Sequence, residues 1–398
     1  MEKHFIQDFD YAGNPNYSEF SSNNTYFSNQ ANVEILETVN RIDSLINHLL
    51  VKNSYDSAEE FKKKGMDDLE HLRQLLLRSS KSDPELSQTL QTVFEVAIKY
   101  TEEFLSCSTQ NKEYAFKANL SIVEEKGAQI ASLKTDGYLE FNIPHSPEFL
   151  RMCDEQMALM RKKYEAESDW RGANSFDRKS AEFKLIEDFI RKEKIIEIIS
   201  EYKKMNMFLF YAAVDYAHSR QKWFRNNHLY NYLAPTNYYH YDASVEVAKM
   251  LIYLSDVKSG DGPFRLVSKS SSMSRSFFLL FIHYANDTEI SVKFHKQENL
   301  YGRGFFLYRK DLLLKFPHPF IGSTHFGDDL TENSFLSKFL IANTVTFERE
   351  KGTAVLFDGF KGIHSGGNAF DGERLAVQVA FKRVPDSAPK KRFSLFNR

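Results

Sequence analysis

The sequence predicts an α+β chain: a helical first part, then a barrel or double-sheet jelly roll. Three observations predict it. Apolar residues recur at three- and four-residue spacing through the first third, short runs rich in β-branched and aromatic residues fill the chain after Met205, and neither a G-x-G-x-x-G nor a G-x-x-x-x-G-K-[ST] turn occurs. Many short strands after helices argue for closed or doubled sheets, and the missing glycine turns exclude Rossmann and P-loop readings. At 398 residues, one large domain with a smaller companion is expected.

Residues 1–32 are rich in Asn, Ser, Tyr and Phe without a period, so a loosely packed N-terminal segment is expected. From Val33 one apolar stripe carries Leu36, Val39, Ile42, Leu45, Ile46, Leu49 and Leu50, and Phe61, Met66, Leu69, Leu72, Leu75 and Leu76 make a second. Ser82-Asp83-Pro84-Glu85 places an Asp cap before a Pro in the first turn, starting a third helix whose buried side is Leu86, Leu90, Val93, Phe94, Ala97 and Ile98. A fourth is expected over Glu113 to Lys126. Short polar connections make residues 33–130 a helical bundle, which has no metal or nucleotide spacing and reads as a packing, partner-binding or oligomer-contact module.

The period changes at Asp136-Gly137, a turn signal followed by a strand through Phe141. Helices are expected around Pro147–Ala166 and Arg178–Lys203. Strands are expected over Val245–Val257, Phe264–Val267, Phe277–His283, Glu289–Phe294, Gly304–Tyr308, Thr353–Phe357 and Arg374–Val384, with a turn at Gly260-Asp261-Gly262-Pro263. Residues 131–385 thus form the second domain, and 386–398 a basic tail.

Lys plus Arg number 52 against 54 Asp plus Glu, a net charge of −2, so no general attraction to nucleic acid or acidic membranes is indicated. The two cysteines, Cys107 and Cys153, have no C-x-x-C spacing, which excludes a zinc ribbon. No signal-type apolar core opens the chain and no eighteen apolar residues run together, so the expected location is the cytoplasm.

The chemistry concentrates in Asn237-Tyr238-Tyr239-His240-Tyr241-Asp242 and in His364-Ser365-Gly366-Gly367-Asn368. An H-x-D alone is weak, since about one chance occurrence is expected with twelve histidines. Context strengthens it. Alternation puts His240 and Asp242 on one face and Tyr241 on the other, at the start of a strand-like run. His364 follows a second strand through Asp358-Gly359-Phe360-Lys361-Gly362 and can supply a third ligand. Two imidazoles and a carboxylate make a facial triad with three open positions on iron. In Arg374–Phe381, Leu375, Val377, Val379 and Phe381 share one face. Arg374 lies on the other among Ala376, Gln378 and Ala380, where its fork suits a carboxylate.

Thr135-Asp136-Gly137-Tyr138, His240-x-Asp242, Tyr253-Leu254-Ser255-Asp256-Val257 with Gly262-Pro263, His364-x-x-x-Asn368 and Arg374 occur in an order that resembles the phytanoyl-CoA dioxygenase family of iron(II)/2-oxoglutarate-dependent oxygenases. The likeness covers residues 130–385. It implies a double-stranded β-helix (a cupin-like jelly roll) with flanking helices, Fe(II) held by His240, Asp242 and His364, and 2-oxoglutarate held at its distal carboxylate by Arg374. It further implies an oxidative decarboxylation giving succinate and CO2, with hydroxylation of a small-molecule substrate. Relatives that halogenate lack the carboxylate that Asp242 supplies, so hydroxylation is favoured. A polar co-substrate contact just before H-x-D has Asn237, Tyr238 and Tyr239 as alternatives. One departure is that Val267-Ser268-Lys269-Ser270-Ser271-Ser272 stands where the family has a Pro-Gly-Ser-His-like segment.

Rival readings stay open. His318 and His325 with Asp328 and Asp329 could form a second metal cluster, although their spacing fits no ligand pattern. No G-x-S-x-G supports a Ser-His-Asp hydrolase. A catalytically silent β-helix that binds a ligand or partner, and a cupin-like metal enzyme without 2-oxoglutarate, are the alternatives that Arg374 and the intact triad weigh against.

Overall fold

The structure is a computed structural model that describes residues 29–52, 58–79, 83–108, 116–166, 173–218, 239–242, 244–272, 277–289, 291–293, 306–308, 340, 342–367, 369 and 371–384. The rival metal cluster of His318, His325, Asp328 and Asp329 lies outside these residues, as do Asn237, Tyr238, Asn368 and the two termini.

Three helices come first, α1 (Asn29–Lys52), α2 (Ala58–Ser79) and α3 (Pro84–Ser108). Their buried residues keep helical spacing: Ile35, Val39, Ile42 and Ile46 on α1, Leu69, Leu72 and Leu76 on α2, and Leu86, Leu90, Val93, Phe94 and Ala97 on α3. Asp83 caps α3, its Oδ1 accepting the Leu86 N–H at 3.0 Å.

The fourth helix of this cluster is not the one expected. The helix after α3, α4 (Leu120–Thr135), begins at Asn119, whose side chain accepts the Ile122 N–H. It buries Ile122, Ile130 and Leu133 against the sheet domain's helices instead. Its place is taken by α8 (Phe277–Glu289), a run expected as a strand. Phe278, Phe281, Ile282 and Ala285 are buried at i, i+3, i+4 and i+7, and a solid apolar run can satisfy either period. Phe278 reaches Phe94 at 6.2 Å and its N–H donates to Asp43 Oδ1 on α1. The same core takes in Tyr241, Val267, Phe360 and Ile363, so the helical cluster rests directly on the back of the loops that carry Asp242 and His364.

The sheet domain runs β1 (Tyr138–Asn142), α5 (Pro147–Ala166), β2 (Ala173–Ser175), α6 (Ala181–Lys192), α7 (Ile195–Lys203), β3 (Met207–His218), β4 (Val247–Tyr253), β5 (Arg265–Val267), α8, then β6 (Ser291–Lys293), β7 (Phe306–Tyr308), β8 (Thr344–Thr346), β9 (Thr353–Phe357), β10 (His364–Ser365) and β11 (Glu373–Arg383). The single helix expected over 178–203 breaks into α6 and α7 at Lys194, which takes a left-handed backbone with φ of 57°.

Six strands form one antiparallel sheet in the order β1-β9-β4-β11-β3-β2, and three form another, β10-β5-β8. The 12-residue β3, not among the expected strands, pairs along the length of β11. One face of the large sheet buries Leu375, Val377, Val379 and Phe381 with Ala248, Met250 and Ile252 against α4 to α7. The opposite face sends Leu251, Tyr253, Val355, Phe357 and Ala376 to meet Phe264, Leu266 and Phe347, so the two sheets enclose a second core. Among the described residues, no helix is long and apolar enough to cross a membrane.

Candidate metal centre and anion site

His240 and His364 face each other as an antiparallel bridge. The His240 N–H donates to the His364 carbonyl at 2.9 Å, the reverse bond is 3.0 Å, and the rings lie 4.3 Å apart. This bridge lengthens the small sheet beyond β10 and fixes both imidazoles through backbone. Asp242 joins them by donating its N–H to the Gly359 carbonyl at 2.8 Å. Its Oδ2 then lies 3.6 Å from His364 Nε2, and ligand atoms of His240, Asp242 and His364 all fall within 4.8 Å of one another. Two nitrogens and a carboxylate at this spacing could hold a metal ion.

Local sequence explains the convergence. Tyr241 points the other way, buried in the helical core, as alternation requires. Gly359 leaves the space that the carboxylate occupies: a Cβ there would stand 1.9 Å from Asp242 Oδ2 and 3.0 Å from His364 Cε1. The turn between β9 and His364 closes on Asp358, whose carbonyl accepts the Lys361 and Gly362 N–H groups. Its carboxylate takes the Phe360 N–H at 3.1 Å and a buried ion pair with Lys203 Nζ at 2.8 Å. The Ser270 hydroxyl donates to the Val267 carbonyl and accepts the Ile363 N–H at 2.9 Å, so the Ser268–Ser272 segment holds the residue before His364.

His364 Nδ1 lies 3.0 Å from the Gly362 carbonyl. A carbonyl only accepts, so Nδ1 carries a hydrogen, and Nε2 is the nitrogen turned toward Asp242. Lys249 Nζ approaches both Asp242 oxygens at 2.8 Å. Burial alone would push the Asp242 carboxyl up. The Lys249 ammonium, and after it the His364 ring, hold it well below the usual carboxylate range.

Arg374 sits on the same sheet face as Ala376 and is 3 % exposed. Its Nη1 donates to the Gly262 carbonyl and its Nη2 to Asp215 Oδ2 at 3.4 Å, while its buried Nε has no acceptor among the described residues. Gly262 is itself pinned, with φ of 79° and its backbone against Gly367, where a Cβ would meet it at 2.1 Å. Tyr239 turns from this region: its ring packs on the helical core and its hydroxyl lies 2.7 Å from Thr344 Oγ1.

The structure therefore brings together His240, Asp242 and His364 and sets Arg374 on the inner sheet face. It adds Lys249, Gly359, Ser270 and the Lys203–Asp358 pair, which sequence reasoning passed over. Lys249 had a signal, because it is the one charged side chain in the otherwise apolar run Val247–Tyr253 and shares the inner face with Leu251 and Tyr253. None of the other three had one, since their partners are about a hundred residues away or more.

No family model matches the chain, and no curated protein matches it. Among solved structures it is similar to EctD from S. alaskensis in its apoform, at 12 % identity and a TM-score of 0.37, covering 66 % of this chain and 79 % of that one. It is also similar to the epimerase SnoN in complex with Fe3+, alpha ketoglutarate and nogalamycin RO, at 14 % identity and a TM-score of 0.34, covering 69 % and 93 %. A third is HygX from Streptomyces hygroscopicus with nickel and 2-oxoglutarate bound, at 10 % identity and a TM-score of 0.35, covering 65 % and 86 %. What the site can do is decided by its own donors and cations.

Proposed function

We propose that this chain is an Fe(II)- and 2-oxoglutarate-dependent dioxygenase on a double-stranded β-helix, hydroxylating an aliphatic C–H bond of a small organic substrate. The observation that carries the reading is the meeting of His240, Asp242 and His364, donor atoms within 4.8 Å of one another, from segments more than a hundred residues apart. The donor set fits iron: two imidazoles and one carboxylate leave three positions for a bidentate acid and dioxygen. Arg374 fits a carboxylate through its buried Nε, which has no acceptor among the described residues.

Bound there, Fe(II) with 2-oxoglutarate and dioxygen would supply oxidative decarboxylation to succinate and CO2 and the oxidation of a substrate C–H bond. The chain's own part is placement. His240 and His364 present nitrogens fixed by their shared bridge, and Asp242 adds the anionic ligand. Arg374 orients the distal carboxylate of the acid, and the aromatic wall of Phe264 and Phe357, 6.0 and 5.0 Å from the His364 ring, keeps water from that side.

One observation favours a metal enzyme without 2-oxoglutarate: two of the Arg374 nitrogens already have acceptors in Gly262 and Asp215. Turnover separates the two. Wild-type protein with Fe(II), 2-oxoglutarate and dioxygen is expected to release succinate, and Asp242→Ala to release none. Iron uptake without succinate or 2-oxoglutarate binding would leave the second reading standing.

A further inference from the structure

Resting on the proposed function, we propose that Lys249 is a positioning residue that keeps Asp242 a one-oxygen ligand and so preserves the third open position on the metal. The lattice of the large sheet places it. Lys249 pairs with Phe357 on β9 and Ala380 on β11, so its side chain rises from the inner face, beside the ring that abuts His364. Ala380 is small, and the ammonium has room to lie across to Asp242.

A carboxylate beside a dication can bind through one oxygen or both. Two contacts decide between them. Asp242 Oδ2 stands 3.6 Å from His364 Nε2, on the side where Gly359 leaves space, so that oxygen is turned toward the other candidate ligands. The Lys249 ammonium lies 2.8 Å from Oδ1 as well as from Oδ2. When a metal takes Oδ2, the ammonium keeps Oδ1 and prevents it from swinging onto the ion. Without that contact, Oδ1 has no other hydrogen-bond donor among the described residues and would turn to the cation. The third coordination position would then close, the one that dioxygen needs once a bidentate acid holds the other two.

Metal affinity alone tests this poorly. An ammonium beside a dication repels it while it orders the ligand, and the balance could fall either way. The number of waters on the metal does not share that ambiguity. The probe is Mn(II) bound to the full chain, with bound waters counted from line broadening of its electron paramagnetic resonance in 17O-enriched water. Three waters are expected for wild type and for Lys249→Arg, whose fork can still hold Oδ1. Two are expected for Lys249→Met, with far-UV circular dichroism unchanged. Lys249→Leu, which likewise carries no hydrogen-bond donor, is measured beside it in case the Met variant fails to fold, and is also expected to drop below three.

Three waters in both neutral variants would overturn the inference, as would loss of all Mn(II) from folded variant protein. A wild-type chain that takes up no Mn(II) would defeat the proposed function itself, so the two failures are distinct.

Discussion

The two ends of the site are built differently. At the triad end every group is held by another: the two histidines by a backbone bridge, Asp242 by the Gly359 carbonyl and the Lys249 ammonium, His364 Nδ1 by the Gly362 carbonyl. At the other end Arg374 stands on a strand, where the sheet fixes its backbone while its guanidinium is shared between Gly262 and a half-buried Asp215. Every group of the triad is held by a contact, whereas the Arg374 guanidinium keeps one nitrogen, Nε, without an acceptor among the described residues. Substitutions near the metal should therefore act through geometry, and those near Arg374 through competition for one cation.

The largest effect is expected at Gly359. A methyl group there would overlap the Asp242 carboxylate, so Gly359→Ala should weaken Fe(II) or Mn(II) binding by roughly 100-fold or more. Gly127, inside α4 with nothing within 4 Å of a built Cβ, is the matched control. Gly127→Ala should leave metal binding alone and stabilise the protein by about 0.5–1 kcal/mol in urea unfolding. Equal metal affinity in the two variants would break the view that the metal end depends on close approach.

Next comes the buried pair beneath the metal turn. Lys203→Met leaves the Asp358 carboxylate buried without its cation, at a cost of about 3–5 kcal/mol in urea unfolding. Adding Asp358→Asn keeps an acceptor for the Phe360 N–H and removes the stranded charge, and should recover most of that loss. A double variant as unstable as the single one would show that the pair acts through its shape rather than its charge.

At the Arg374 end the effects are smaller. Arg374→Lys is expected to weaken 2-oxoglutarate binding by roughly 10-fold, because an ammonium cannot reproduce the planar fork, with metal affinity little changed. Asp215→Asn removes the competing carboxylate and should tighten the acid by about threefold, a modest gain in keeping with a half-exposed pair. Unchanged acid binding in both variants would assign Arg374 to the sheet rather than to a ligand.

The smallest effect sits one residue earlier. Burial pushes the Glu373 carboxyl up, but hydrogen bonds from Arg161 and Tyr216 outweigh it and lower its pKa. A lowered folded-state pKa contributes stability above the unfolded value, near 4.5, that is lost as pH falls through the folded one. Glu373→Gln should cost about 0.5–1 kcal/mol at pH 7, discounted because Arg161 is largely exposed. The gap from wild type should close in urea melts as pH falls below 4.5 and through the lowered folded value.

What was legible in the sequence follows the same division. Alternation in Leu375–Phe381 read both faces of β11 correctly, and the change of face at Tyr241 was visible because a strand side chain must point one way or the other. Pro147–Ala166 and Thr353–Phe357 fall where the periods placed them. Phe277–His283 misled, because an unbroken apolar run carries no period, and whether it is helix or strand was decided by α1 and α3 waiting to be covered. The Lys203–Asp358 pair and the Ser270 bond could not be read, since each joins segments that only the fold makes neighbours.

The most direct test of the central claim is anaerobic. Wild-type protein loaded with Fe(II) and then given 2-oxoglutarate should develop the weak visible charge-transfer band of an iron–2-oxo acid chelate, and His364→Ala should lose it. No band in wild type, or an undiminished band in His364→Ala, would contradict the assignment of His240, Asp242 and His364 as an iron site.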